Sequence, residues 1–215
     1  KVLVFGESLG AWSSSDVVMH QGISGFDHYG IHRALWFGLP GLARWSKTGM
    51  REGRNPLTPD GTVTPFDRFE QYQALSEEER AKLRAVVVDH DNDPIAQMSL
   101  RMAVKRPSWL DGHRGRGVPE SMKWTPVITF SQVVVDAMNA MVVIPGQFKS
   151  FGHDYRADTA RFVQAAYGLP DITEEQMGSL HDTLVQRELD RGARIKMGKD
   201  ADQVGSMGRV ASDTQ

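Results

Sequence analysis

The sequence predicts an α/β fold: a mostly parallel sheet with helices on both faces. Short, largely apolar runs at Val2–Phe5, His32–Phe37 and Ala85–Val88 have the length and character of strands buried on both sides. Segments with helical spacing or helix-capping residues follow them, and glycine or proline turns separate the two kinds of segment. That alternation is the pattern of helices packed against a parallel sheet. A chain of 215 residues is long enough for one domain with a sizeable core, or two small ones.

In chain order, Val2–Phe5 is the first strand, and residues from Leu9 to Met19 can form a helix with Val17, Val18 and Met19 as apolar contacts. Gly22, Gly25 and Gly30 mark a loop before the second strand, His32–Phe37, which Gly38-Leu39-Pro40-Gly41 ends. Residues 46–75 are rich in Gly, Pro, Thr and Arg with little periodicity, and read as a surface excursion. Ser76-Glu77-Glu78-Glu79 is a capping box that opens a short helix. Ala85–Val88 is the third strand, Ile95–Val104 is helical, and Lys105–Thr125 is a second excursion. Pro126–Pro145 is too long for one strand and predicts a helix over 129–138 and a strand over 139–144. Ala157–Tyr167 has helical spacing and stops at Gly168-Leu169-Pro170. Thr173–Gln176 is another capping box, opening a helix with Met177, Leu180, Leu184 and Val185 on one face. The domain is expected to span 1–195, with a polar tail over 196–215.

Composition excludes several classes. Hydrophobic residues make up 40% and charged ones 24%, which argues against a disordered or collagen-like chain. The net charge of −2 lacks the basic excess that nucleic-acid binding recruits, so no nucleic-acid partner is expected. No stretch reaches the ~18 consecutive apolar residues of a membrane span. With no cysteine there is no disulfide, thiolate metal site or cysteine nucleophile. The chain opens one residue before a core strand, which predicts that it is the C-terminal portion of something longer.

Gly6-Glu7-Ser8-Leu9-Gly10 is a G-x-S-x-G sequence directly after a buried strand and before a helix. A strand-to-helix turn of that tightness needs small residues beside the serine and lifts its Oγ clear of the sheet. The next backbone N–H, that of Leu9, then points at a developing oxyanion with a helix N-terminus behind it. A serine nucleophile needs a histidine base oriented by an acid, in the order Ser, acid, His after successive strands. Asp93 follows the third strand and His153 follows the last predicted one. The acid is the less certain member, because Asp89, Asp91 and Asp93 cluster together; Pro94 can start the next helix behind Asp93, which ranks it ahead of Asp91 and Asp89. Asp spacing here also resembles a calcium loop, but Pro94 and Leu100 stand where that loop needs glycine and an acid. No metal and no cofactor is expected. His28 and His32 have ligand spacing that Gly30 spoils; His20, His113 and His181 read as solvent-exposed, and His90 as a neighbour of the acid cluster. Trp12, Trp36, Trp45, Trp109 and Trp124 either line an apolar acyl pocket or pack the excursions onto the sheet. Arg101, Lys105, Arg106, Arg114 and Arg116 could meet an anionic head group, but a solvated loop is the preferred reading.

The elbow, Asn92-Asp93-Pro94-Ile95, Trp124–Phe130 (WTPVITF) and Gly152-His153-Asp154-Tyr155, in that order, resemble the α/β-hydrolase superfamily over roughly residues 2–167. The chain looks most like the catalytic domain of the bacterial membrane-anchored α/β-hydrolases, in which transmembrane helices precede the hydrolase. The resemblance implies serine hydrolase chemistry, with Ser8 as nucleophile, Asp93 as acid, His153 as base and Leu9 N–H as one oxyanion donor. It further implies that the elbow strand is the fifth of the sheet and that later strands succeed one another across it. Four strands and the loop donating the second oxyanion N–H would lie upstream, leaving the edge of Val2–Phe5 to be paired by that upstream half. The expected substrate is a lipid or other acyl ester, handled by a membrane-associated protein whose present portion is soluble. An acyltransferase with the same triad, or a non-catalytic binding module of this fold, are the alternatives.

Overall fold

The computed structural model describes residues 1–55, 61–111 and 114–212. His113, residues 56–60 of the first excursion and residues 213–215 of the expected tail lie outside them. In chain order the elements are β1 (Val2–Glu7), α1 (Leu9–Val18), α2 (Ser24–His28), β2 (Ile31–Phe37), α3 (Lys47–Arg51), β3 (Val63–Phe66), α4 (Phe69–Gln73), α5 (Glu77–Lys82), β4 (Ala85–Val88), α6 (Pro94–Gln97), α7 (Ile128–Ala140), α8 (Arg156–Tyr167) and α9 (Glu174–Ser212). The chain forms two compact units. One comprises Lys1–Val142 with Lys149–Asp171; the other pairs Val143–Phe148 with the chain from Ile172 onward.

The first unit is built on four parallel strands in the order β1-β2-β4-β3. Successive strand residues point to opposite faces, and both faces are covered over β2 and β4. β1, expected to be buried on both sides, instead exposes Val2, Leu3 and Phe5 because its outer edge has no strand neighbour among the described residues. Ala34, Trp36, Ala85 and Val87 pack on one side with Ala11, Met19 and Phe26. Leu35, Phe37, Val86 and Val88 pack on the other with Tyr72, Tyr155 and Phe162. A strand buried on both faces cannot alternate apolar with polar, which is why β4 reads Ala-Val-Val-Val. The register brings the strand ends level: Glu7 pairs with Phe37, Phe37 with Val88, and Val88 with Phe66. The ladder runs one step further, with Ser8 N–H to Phe37 O, Gly38 N–H to Val88 O and Asp89 N–H to Phe66 O at 2.8, 2.9 and 2.9 Å. Ser8, Gly38 and Asp89 therefore stand in a row at the carboxyl edge of the sheet, where parallel folds keep their ligands.

In the second unit, Thr173 and Gln176 form the expected capping box at the start of α9. Gly146 N–H donates to Glu188 at 2.9 Å, and Phe148 packs edge-on against His181. The helix continues through residue 212, so residues 196–212 of the expected tail are helical.

Several elements differ from expectation. β3 lies in the stretch read as an excursion. It is an edge strand, the one place a sheet tolerates a residue such as Pro65 that cannot donate to the ladder. Its position beside β4 also places a later strand between two earlier ones, where the resemblance implied simple succession. The strand expected over 139–144 is absent. The β-branched run Val133–Val135 belongs to α7, because Thr129, Val133 and Ala137, four residues apart, form its buried face. Val142, Val143 and Ile144 stay exposed with no sheet neighbour. His153 consequently lies within a turn, closed by a bridge between Phe151 and Asp154, and does not follow a strand. The helix expected over 95–104 is broken after Gln97, where the Ser99 hydroxyl accepts from Arg101 N–H and starts a separate 3-10 turn, Leu100–Ala103.

Candidate active site

Ser8 sits between β1 and α1 with φ 52° and ψ −118°, a left-handed conformation rare for a non-glycine residue. Its N–H continues the ladder to Phe37 O on β2, and its carbonyl accepts the Trp12 N–H at 3.0 Å at the start of α1. The tightness of the turn dictates Gly6: a Cβ there would lie 2.7 Å from Ala11 Cα. Gly10, by contrast, faces open space, so the requirement for a small residue holds on one side of the serine only. The Leu9 N–H heads α1 and belongs to the amides that have no acceptor within the helix.

His153 brings three sequence-distant groups together. Its Nε2 lies 3.1 Å from Ser8 Oγ and its Nδ1 2.7 Å from Asp93 Oδ2. A carboxylate only accepts, so Nδ1 carries the proton and Nε2 is left as an acceptor facing the serine hydroxyl. Asp93 is buried and fully committed. Oδ1 accepts Ile95 N–H at 2.8 Å and caps α6, while Oδ2 also accepts the Tyr155 hydroxyl at 2.6 Å. Burial pulls the His153 imidazole towards its neutral form. The hydrogen bond and charge of Asp93, helped by Glu7 and Asp89, outweigh that pull and raise its pKa above the usual histidine value.

The other two aspartates are engaged elsewhere. Asp89 accepts Leu39 N–H and Lys47 N–H, each at 2.9 Å, and ties the loop after β2 to the end of β4. Burial, with the nearby Asp93 charge, pushes its carboxyl up to about 7 against these bonds. Asp91 pairs with Lys47 Nζ and donates its N–H to Asp67 at 2.6 Å.

Two contributors had no sequence signal as site residues. Tyr155 is buried behind Asp93; its oxygen accepts His90 N–H at 3.1 Å, and burial and the two carboxylates push its phenol well up. His90 stacks on that ring and spans Gly152 O at 2.8 Å and Asp158 at 3.1 Å, fixing the turn that carries His153. Gly38 (φ 58°) is the second. A Cβ there would meet Tyr155 Cε2 at 2.6 Å and His153 Cε1 at 2.8 Å, so the absent side chain makes the space both rings occupy. Among the tryptophans, Trp36 and Trp45 are core, Trp12 and Trp124 are tied to Asp16 and Met102 O, and Trp109 lines a cavity beside α6. Arg114 and Arg116 bond Met122 O and Ser150.

A model of the Alpha/beta-hydrolase family matches residues 1–180. The chain belongs to the α/β-hydrolase family. No curated protein and no solved structure gives a significant match. The parallel sheet of this α/β-hydrolase, with helices on both faces, agrees with that membership. No helix among the described residues is long and apolar enough to cross a membrane.

Proposed function

We propose that this α/β-hydrolase is a serine esterase acting on lipid or other acyl esters. The observation that supports it is the continuous Ser8–His153–Asp93 hydrogen-bond chain, at 3.1 and 2.7 Å, on a strained turn at the carboxyl edge of the sheet. Ser8 Oγ attacks the ester carbonyl carbon while its proton passes to His153 Nε2. The oxyanion that forms takes the Leu9 N–H as one donor. As the tetrahedral carbon collapses, the C–O bond to the alcohol breaks and His153 returns the proton to the leaving oxygen. Water, deprotonated by the same nitrogen, then hydrolyses the acyl-serine. Asp93 keeps the proton on Nδ1 and offsets the imidazolium charge, without itself becoming protonated.

In this reading an upstream half of the fold supplies the second oxyanion N–H and strands beside β1, and attaches the protein to a membrane. Val2, Leu3 and Phe5 are 54%, 37% and 48% exposed on β1, which pairs with β2 alone among the described strands, and an apolar edge of that kind suits further strands. The test is turnover of a short-chain chromogenic ester by the full-length protein. Ser8→Ala and His153→Ala should each abolish it with an unchanged circular-dichroism spectrum, and their losses should not add, because the two groups act as a unit. Substantial turnover by Ser8→Ala contradicts the assignment.

A further inference from the structure

We infer that a basic cavity beside α6 is a binding site for a phosphorylated polyol, separate from Ser8 and His153. The cavity, of about 250 Å³, lies between α3, the end of α6 and the segment after it. Arg51 from α3, and Arg101, Lys105 and Arg106 from the segment after α6, line it. Its two carboxylates are already engaged: Glu52 holds Ser99 at 2.6 Å and Arg54 at 3.3 Å, and Asp111 holds Arg106 at 2.8 Å. Arg51, Arg101 and Lys105 have no carboxylate partner among the described residues. The charge is felt locally: burial first, and the positive charge of Arg101 with it, lower the pKa of the Arg54 guanidinium despite Glu52. A phosphate group meets three cations lining one cavity as no neutral ligand can.

A second observation comes from groups that carry no charge. Gln97 lines the cavity and is only 4% exposed. Its Nε2 donates to His90 O at 3.4 Å, which fixes the amide orientation and leaves Oε1 as a buried acceptor with no partner. Trp109 Nε1, in the same wall, is a buried donor with no partner. Native structures leave few such atoms unsatisfied. The indole N–H suits a phosphate oxygen, and the lone amide oxygen asks for a hydroxyl. A phosphate ester bearing a free hydroxyl offers both, and the volume equals that of about eight waters, room for a phosphate and a small polyol. The five-residue basic cluster in the sequence thus divides: Arg101, Lys105 and Arg106 face the cavity, while Arg114 and Arg116 are bonded elsewhere. Gln97 and Trp109 also line a smaller cavity, about 100 Å³, whose walls include Asp93.

The test is isothermal titration of the full-length protein with glycerol 3-phosphate and with inorganic phosphate. Saturable binding of both is expected, with glycerol 3-phosphate about tenfold tighter through its hydroxyl groups. The double variant Arg101→Gln/Lys105→Gln, on exposed side chains that the fold does not need, should lose at least tenfold in affinity for both, whereas Arg114→Gln/Arg116→Gln should not. Gln97→Leu should abolish the preference for glycerol 3-phosphate and keep phosphate binding. Ser8→Ala should bind as the unaltered protein does, which separates this site from the ester chemistry. Competition by phosphatidylglycerol vesicles would identify a lipid headgroup as the source, and its absence a free phosphorylated polyol. No saturable binding, or undiminished binding by the Arg101/Lys105 variant, overturns the site; equal losses of both ligands in Gln97→Leu overturn the hydroxyl contact.

Discussion

Asp89, Asp91 and Asp93 stand at alternate positions of one loop and hold three different jobs. Asp93 meets His153 Nδ1, Asp91 meets Lys47, and Asp89 bonds two backbone amides. Asp93→Asn should therefore cost the most activity, on the order of 10⁴-fold, because an amide can present its NH₂ to the imidazole and favour the wrong tautomer. A larger loss of kcat/KM in Asp91→Asn or Asp89→Asn would assign the acid elsewhere. The raised pKa of His153 sets the pH dependence. The base must be neutral to take the serine proton, so activity should be full above that pKa and fall as pH drops through it, giving an acid limb at higher pH than an ordinary histidine would. Asp93→Asn should move that limb to lower pH, since Asp93 is what holds the proton on. The G-x-S-x-G turn singled out Ser8, the order Ser, acid, His singled out His153, and Pro94 favoured Asp93. Tyr155 was not legible, because nothing in a sequence tells that a tyrosine from one turn will lie behind a carboxylate from another. Tyr155→Phe leaves His90 N–H buried without an acceptor, and should lower unfolding stability by about 1–3 kcal/mol in urea titration.

The carboxyl ends of β1, β2 and β4 are level, and Ser8, Gly38 and Asp89, which follow them at once, each play a distinct part. Gly38 makes the sharpest prediction here. Gly38→Ala puts a methyl group within 3 Å of both His153 and Tyr155, and should lower kcat/KM by about 10²-fold through displaced geometry, with the sheet intact by circular dichroism. Wild-type turnover in that variant would mean that the two rings do not occupy the space beside Gly38. Elements whose own residues close them were readable: the Ser76–Glu79 box that opens α5, and the Gly168 that stops α8 in a left-handed conformation. Those decided by their neighbours were not. β3 exists because β4 offers it an edge, and α7 overrides the strand preference of three consecutive valines by burying one of them.

At the scale of the whole molecule, the sheet has a protected side and an open one. β2 and β4 are enclosed on both faces, while β1 exposes Val2, Leu3 and Phe5 and has one strand neighbour in the described chain. If upstream strands cover that edge, as proposed, the amides of Val2–Phe5 should exchange slowly with deuterium in the full-length protein; rapid exchange there would contradict the proposed partner half. The two-sided sheet was legible because burial on both faces leaves an unbroken apolar run. The strand order was not, because nothing in β3 or β4 alone says which will lie next to β2. The central claim is that Ser8 is a nucleophile made reactive by His153 and Asp93. Its most direct test is labelling of the full-length protein with a fluorophosphonate probe, followed by mass spectrometry of the modified peptide. A single adduct on Ser8, absent in His153→Ala and strongly slowed in Asp93→Asn, is the predicted result. No adduct under conditions that label a known serine esterase, or an adduct on another serine, would contradict it.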